Sequence, residues 1–430
     1  MKIAIIGTGI AGNVVAHHLH PHHDIEIFEA SGHVGGHAHT HNIRRGNGTY
    51  AVDTGFIVFN ERTYPNFTAL LKQLGVATQP TRMSFSVRDE RSGLEYNGTN
   101  LNTLFAQRRN LLRPGFLGMI RDILRFNKEA PLLLNRDGEG LCANDLTLEE
   151  YLAGNRYGRA FIEQYIVPMG SAIWSANASE ILRFPASFFI RFFHNHGMLS
   201  IDDRPQWRTI AGGSANYVKA LTAPFRKRIH LRTPVLGIVR MPGCVMLKTQ
   251  GTEAARFDAV FVACHSDDAL KLLADPTPAE KDILGAIPYR ENAAVLHTDP
   301  RLLPRRKLAR AAWNYHLHDN AGGQVALTYD MNVLQALKSP EPFLVTLNRT
   351  ADIEASKVIQ RITYRHPLFT QAAVAVQKRQ AEINGPLNTY FCGAYWRNGF
   401  HEDGVASALT ALSHFHEYSS HAQRTLRRPG

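Results

Sequence analysis

The chain has 430 residues, 44% of them hydrophobic and 20% charged, with a formal net charge of +11 at pH 7. That balance excludes a disordered or fibrous protein, and the length suffices for two substantial cores. No apolar run reaches the roughly 18 residues of a membrane span. The four cysteines, Cys142, Cys244, Cys264 and Cys392, are far apart without C-x-x-C spacing, which favours reduced thiols in a cytoplasmic protein. The positive charge favours an acidic partner such as a nucleic acid or an anionic membrane surface, although many basic proteins have neither; of the two, only peripheral contact with an anionic membrane is kept as an expectation, and no nucleic-acid partner is expected.

At the N-terminus, Lys2 precedes apolar residues as in a secretory leader, but glycines and then histidines break the run and no cleavage site follows. Residues 2–6 read as a buried strand, and Gly7, Gly9 and Gly12 follow at G-x-G-x-x-G spacing. Ile10 and Ala11 then open a helical segment that Pro21 closes, and residues 25–28 form a second apolar run ending at Glu29. Gly7 permits the tight turn, Gly9 lets backbone approach a pyrophosphate, and Gly12 lets the helix pack close to the strand. The helix N-terminus faces the phosphates, and Glu29 can accept hydrogen bonds from ribose hydroxyls while repelling the 2′-phosphate of NADP. The unit as a whole predicts an adenine dinucleotide site.

After Glu29 and Ala30 comes a loop with Gly35-Gly36 and His37, more than a nicotinamide-binding domain needs. Here the sequence resembles the FAD-dependent amine oxidase, phytoene desaturase and protoporphyrinogen oxidase superfamily, whose E-A-x-x-x-x-G-G-[R] loop matches Glu29-Ala30 to Gly35-Gly36. The usual Arg, which helps neutralise the pyrophosphate, is His37 here, so charge compensation falls to backbone amides or to protonation of His37. His17, His18, His20, His22, His23, His33, His39 and His41 crowd the same region; without Cys or H-E-x-x-H spacing they read as solvated or phosphate-facing, and no metal is expected.

Residues 64–74 read as an amphipathic helix, and 83–87 and 94–96 as short strands. Residues 101–134 interleave apolar residues with Arg108, Arg109, Arg113, Arg121, Arg125 and Lys128. That pattern fits a core-facing stripe with solvated cations, or a helix lying on an anionic membrane. The run 184–193 can line a tunnel or fill a core. Residues 235–239 and 245–248 form a hairpin turning at Gly243, and 258–263 read as a parallel strand. In the superfamily this block is a β-meander beside the FAD adenine, which implies backbone contacts from Val235. Trp313, Tyr315 and Tyr329 can face a flavin or pack in a sheet.

The stretch 390–412 has a short strand ending at Gly393, an aromatic loop, and a small-residue helix from about Gly404. It resembles the superfamily's closing motif, in which a helix N-terminus stabilises negative charge near flavin N1; this implies contacts from Gly404 and Val405, with Glu402 or Asp403 as cap. Ala394 stands where the family often has Asp. His401, Trp396 and Tyr395 are the candidate catalytic residues, with no general base identified.

The expected fold is α/β: a Rossmann-like FAD-binding domain with a β-meander (1–60, 205–272, 385–423) and a discontinuous α+β substrate domain (61–204, 273–384). Residues 424–430 read as a basic tail. The pairing of VDTGFIVFNERTYPN with GFHEDG is similar to a bacterial subgroup of FAD-binding oxidoreductases often encoded beside cyclopropane-fatty-acid synthase-like methyltransferases. The resemblance implies an FAD-dependent oxidoreductase taking a hydride from a C–H bond onto flavin N5, with a lipid or fatty-acyl substrate and an unidentified electron acceptor. A redox-neutral double-bond isomerase and a flavin-binding protein without turnover are the alternatives. The expected location is cytoplasmic, with peripheral contact at the inner membrane surface a further expectation.

Overall fold

The structure, a computed structural model, describes residues 1–134, 146–200, 202–251, 253–318 and 323–426; Cys142 lies outside them. The strand Lys2–Ile6 lies between Asp24–Phe28 and Ala259–Val262 in an all-parallel sheet. Ile229–His230 and Thr389–Phe391 form its edges, so the sheet draws on four separated parts of the chain. Both faces are covered, as a parallel sheet requires. Because strand side chains alternate, Ile3, Ile5, Ile25 and Ile27 point into one core with the helix Ile10–Leu19 and the C-terminal helix. Ala4, Ile6, Phe28, Val260 and Val262 point into another. The second core is covered by a meander of Val235–Met241, Cys244–Thr249 and Ala255–Phe257.

The other half is a seven-stranded sheet in the order Val358–Pro367, Tyr289–His297, Leu344–Leu347, Leu327–Asp330, Trp313–Leu317, Phe85–Asp89 and Leu94–Asn97. All its pairings are antiparallel except that of Trp313–Leu317 with Phe85–Asp89. Helices between residues 101 and 195 pack on it through a core rich in phenylalanine. The expected α/β fold with a meander is the observed one.

Details of the chain differ from the sequence reading. Phe67, Leu70, Ile283 and Val376, read with the second domain, pack in the two cores around the parallel sheet. Residues 101–134 are not one helix: proline starts the segments Pro114–Glu129 and Pro131–Leu134, and a 3₁₀ turn, Arg108–Leu112, precedes them. Proline lacks the N–H that a continuing helix would use, so each one restarts the helix. The tail is corrected in part. The helix His401–Leu426 runs through 424–426, because once nucleated on packed turns a helix propagates cheaply into Ala-Gln-Arg sequence. Residues 427–430 lie outside the described ones. Among the described residues, no helix is long and apolar enough to cross a membrane.

Candidate functional site

A cavity of about 730 Å³ opens from the first glycine loop and continues between the two halves. Its volume is in the range of small-molecule and cofactor sites. At the glycine end the wall is largely backbone. Gly7 takes φ +100, and its N–H is held by the Phe28 carbonyl at 2.8 Å. A Cβ on Gly12 would lie 2.0 Å from the Gly7 carbonyl oxygen, so this glycine sets the helix–strand approach and does not itself line the cavity. A Cβ on Gly9 would meet no protein atom within 4 Å, because the space in front of it is the cavity. Gly9 caps the helix without a side-chain bond, so the first N–H groups of Ile10–Leu19 remain available to an anion.

Glu29 and Ala30 line the same end. The Glu29 carboxylate accepts from Thr8 N at 2.9 Å, Thr8 Oγ1 at 2.6 Å and Ser31 N at 2.8 Å, which aims it rigidly. Gly35 N–H donates to the Thr8 carbonyl at 3.0 Å and Gly36 abuts Gly9, so the second glycine pair is folded onto the first. Val235, Gly393 and His37 also reach the cavity. Of the nine N-terminal histidines only His37 does so; His39 stacks on His33 with ring centroids 4.0 Å apart and meets His41 at a tilt, 4.2 Å away.

Enclosure, and then His366, His265, His401 and His33, hold His37 well below the usual imidazole range. It stacks on Tyr364 at 4.8 Å and its buried Nε2 has no hydrogen-bond partner among the described residues. Neutral His37 therefore offers a hydrogen-bonding nitrogen in place of the charge an Arg would bring. An unpartnered nitrogen beside bare helix N–H groups and a clear space before Gly9 fits the pyrophosphate of FAD. The residues that would hold it are Gly7 to Ala11, Glu29, Gly36 and His37, with Val235 and Gly393 further along.

Two assignments in the closing motif are corrected. The helix starts at His401, three residues earlier than read, and Gly399, Phe400 and His401 line the cavity while Gly404 and Val405 do not. A Cβ on Gly404 would come within 2.6 Å of the Ile10 side chain, so this glycine serves helix–helix packing, and Val405 sits in the core beside it. The start is set by Asp403, whose carboxylate accepts from Phe400 N at 2.8 Å. Glu402 instead caps a neighbour: it accepts from Asn66 N and Phe67 N at the start of Pro65–Gln73.

Of the catalytic candidates, Tyr395 and His401 reach the cavity and Trp396 is packed in the core beneath it. His401 stacks on Phe56 at 3.8 Å, and its Nε2 lies 2.6 Å from the Tyr217 hydroxyl. Burial pushes it down to about 3, so it remains neutral at physiological pH and is built to position rather than to carry charge. His265, Asp267 and Asp268 cluster closely enough for a metal. Arg365 and Lys271 already pair with both carboxylates, which makes the cluster an ion-pair network.

The far end is lined by Met83, Trp174, Phe192, Met198, Trp313 and Phe369, with Tyr329 and Leu347 beside them. The charged residues on the cavity wall, Glu29, Asp268, Lys271 and Arg365, belong to the glycine end. Tyr315 is core, and Phe192 is the member of 184–193 that lines the chamber. His196 was missed by the sequence reading. Its Nδ1 lies 2.9 Å from the Phe192 carbonyl and must be the donor there, and burial pushes the imidazole down to about 4. The ring is therefore neutral, with Nε2 as a hydrogen-bond acceptor. Trp174, Ser175 and His196 stand at helix ends, where no periodic pattern marks them; Ser175 is a left-handed cap at φ 53.

Residues 10–314 match the family model for flavin containing amine oxidoreductase. No curated protein matches in sequence. Among solved structures, the chain superposes on a CLA-producing fatty acid isomerase from P. acnes with TM-score 0.69 at 17% identity, covering 96% of this chain and 98% of that one. It superposes on cyclohexylamine oxidase from Brevibacterium oxydans IH-35A with TM-score 0.70 at 15% identity, covering 97% and 99%. Putrescine oxidase bound to putrescine gives TM-score 0.64 at 13% identity, covering 96% and 99%. At these identities the likeness is one of fold.

Proposed function

The chain belongs to the flavin containing amine oxidoreductase family, and from that premise we propose that it is an FAD-dependent oxidoreductase acting on a hydrophobic, uncharged stretch of a lipid or fatty-acyl substrate. The observation that carries this reading is the continuous cavity, which passes from a backbone-built dinucleotide site into a chamber of tryptophan, phenylalanine and methionine. When bound, FAD supplies the acceptor for a hydride from a substrate C–H bond and passes the electrons to a second acceptor. Trp174, Phe192, Met198 and Phe369 would exclude water and align an apolar chain. Trp313 Nε1, buried without a partner among the described residues, can donate to a substrate oxygen. His196 Nε2, on a neutral ring whose proton sits on Nδ1, can accept a hydrogen bond in the same chamber. Among the described residues no carboxylate lines the chamber end of the cavity to pair with a cationic amine, which weighs against simple amines.

The fatty acid isomerase with the same fold supports the lipid substrate class and keeps redox-neutral double-bond migration as the second reading. The test is to purify the protein, record flavin absorption, and mix it without oxygen with unsaturated fatty acids, their thioesters and a panel of amines. Bleaching by a lipid and not by amines is expected. Bleaching by amines alone, or a protein that cannot be loaded with FAD, overturns the proposal. Steady consumption of an acceptor marks the oxidoreductase, and product formed without it marks the isomerase.

A further inference from the structure

The segment from residue 101 to residue 132 presents leucines that no other part of the described chain covers. Leu112 is 87% exposed and Leu101 74%, and Leu111, Leu117, Leu124 and Leu132 are exposed as well. On the helix Pro114–Glu129, Phe116, Met119 and Phe126 face the core, while Leu117, Arg121, Leu124 and Lys128 recur at helical spacing on the outer face. A merely solvated face would carry the cations without the leucines.

Charge on this face is one-sided. Between residues 101 and 132 the ionisable side chains are Arg108, Arg109, Arg113, Arg121, Arg125, Lys128 and two acids, Asp122 and Glu129, the second paired with Arg125 at 3.5 Å. Asp122 is buried, accepts from Gly158 N at 2.8 Å, and lies 3.6 Å from Arg121 Nη2, whose side chain is otherwise exposed. Arg108 donates to the carbonyls of Asn102 and Phe105, and Arg109 to that of Gly93; these neutral partners orient the guanidinium groups and leave their charge uncompensated. The 3₁₀ turn Arg108–Leu112 thus sets two exposed leucines beside two exposed arginines, immediately before the helix with the mixed outer stripe.

We propose that this face docks the protein peripherally on an anionic lipid surface. Leu111, Leu112 and Leu117 enter the boundary of the acyl region, and Arg108, Arg109 and Arg121 meet the lipid phosphates. Apolar insertion and attraction to anionic headgroups are each weak alone and add on one surface. The inner side of the same helix packs in the core that also holds Trp174 and Phe192 of the cavity wall. The docking face and the apolar chamber therefore share one packed unit, although docking does not depend on the substrate being a lipid.

The test is cosedimentation of the FAD-loaded full chain with vesicles of phosphatidylglycerol and phosphatidylcholine, against phosphatidylcholine alone, at low and high salt. Binding to the anionic vesicles that weakens with salt is expected. The pair Leu111→Ser, Leu112→Ser and the pair Arg108→Glu, Arg109→Glu should each lower the apparent affinity by about tenfold or more, with flavin content and Tm unchanged. Equal binding to phosphatidylcholine alone, no binding, or variants that bind like the parent protein overturn the proposal. So does a concentration-dependent dimer abolished by the leucine substitutions in the absence of vesicle binding.

Discussion

The two ends of the cavity are made of different material. At the glycine end the surface is backbone, aimed by hydrogen bonds between near neighbours in the fold such as Thr8, Glu29 and Gly35. At the far end it is side chains, brought from Met83, Trp174, Phe192 and Trp313 on separate elements. Backbone surfaces recognise what every dinucleotide shares, whereas side-chain surfaces select a particular ligand. Substitutions at the first end should therefore act on cofactor retention, and on folding as well only where the residue packs against backbone, whereas those at the second should leave cofactor retention unchanged.

The largest effect is expected at Gly12. A Cβ there meets backbone at 2.0 Å, and no flexible side chain can yield. Gly12→Ala should destabilise the protein by about 4 kcal/mol or more and abolish flavin retention, read by thermal unfolding and the flavin-to-protein ratio. Gly9→Ala is the matched control: its Cβ meets only the cavity, so the Tm of the FAD-free protein should hold while FAD binding falls. Equal loss of stability in both variants would break the distinction between packing and clearance.

Glu29→Ala comes next. It removes a carboxylate held by Thr8 and Ser31 at the cavity rim, where the side chain is only half-buried. Hydrogen bonds to a charged group contribute about 1.5–3 kcal/mol, so FAD should bind about 10- to 100-fold more weakly. The fold should remain largely intact, and Kd by flavin fluorescence checks the claim.

The same contrast explains what was legible in the sequence. Gly7, Gly9, Gly12, Glu29 and Gly35-Gly36 lie close in the chain, and their spacing reflects one local backbone geometry, so the parallel sheet and its loop could be read directly. Gly404 was misassigned because its partner, Ile10, is hundreds of residues away and nothing local says whether a glycine admits a ligand or another helix. Trp313 could be core or wall on sequence grounds, since an aromatic residue in a strand fits both. His196 carried no signal, because its role depends on the Phe192 carbonyl fixing its tautomer and on burial keeping it neutral.

Buried histidines at both ends give a pH dependence with a definite sign. Burial pushes His401 to about 3 and His196 and His366 to about 4, and holds His37 well below 6.5. The unfolded chain takes up protons at these groups near 6.5 and the folded chain does not, so stability present above 6.5 is lost as pH falls toward the folded values. Asp53 and Asp403 act in the opposite sense, since burial raises them to about 6 and about 7 and the folded chain keeps protons that the unfolded one has released. His39 and His297, pushed to about 4, and His316 act with these four histidines, while Asp330, raised by burial, acts with the two acids, so the histidines outweigh the acids. Tm should therefore fall between pH 6.5 and pH 5, and a flat or rising profile would show that the acids govern. His196→Phe should flatten the profile by the share belonging to the aromatic end, with flavin retention at pH 7.5 unaffected.

The smallest effect on the fold is expected at Trp313, and it separates the two ends most sharply. Its Nε1 is buried without a partner among the described residues, and its ring meets Tyr329 edge-on at 5.1 Å. Trp313→Phe keeps an aromatic ring against Tyr329 and removes the unsatisfied donor. Relief of an unpaired buried N–H, about 1–3 kcal/mol, opposes the packing lost with the smaller ring, so Tm should move little in either direction. If Nε1 serves a substrate oxygen, the substrate concentration for half-maximal flavin bleaching should rise about fivefold to tenfold, the equivalent of one neutral hydrogen bond. FAD affinity should not change. A Trp313→Phe protein that loses stability but binds substrate as before would place this tryptophan with the core, and the aromatic end would then have to be defined by Trp174, Phe192 and His196.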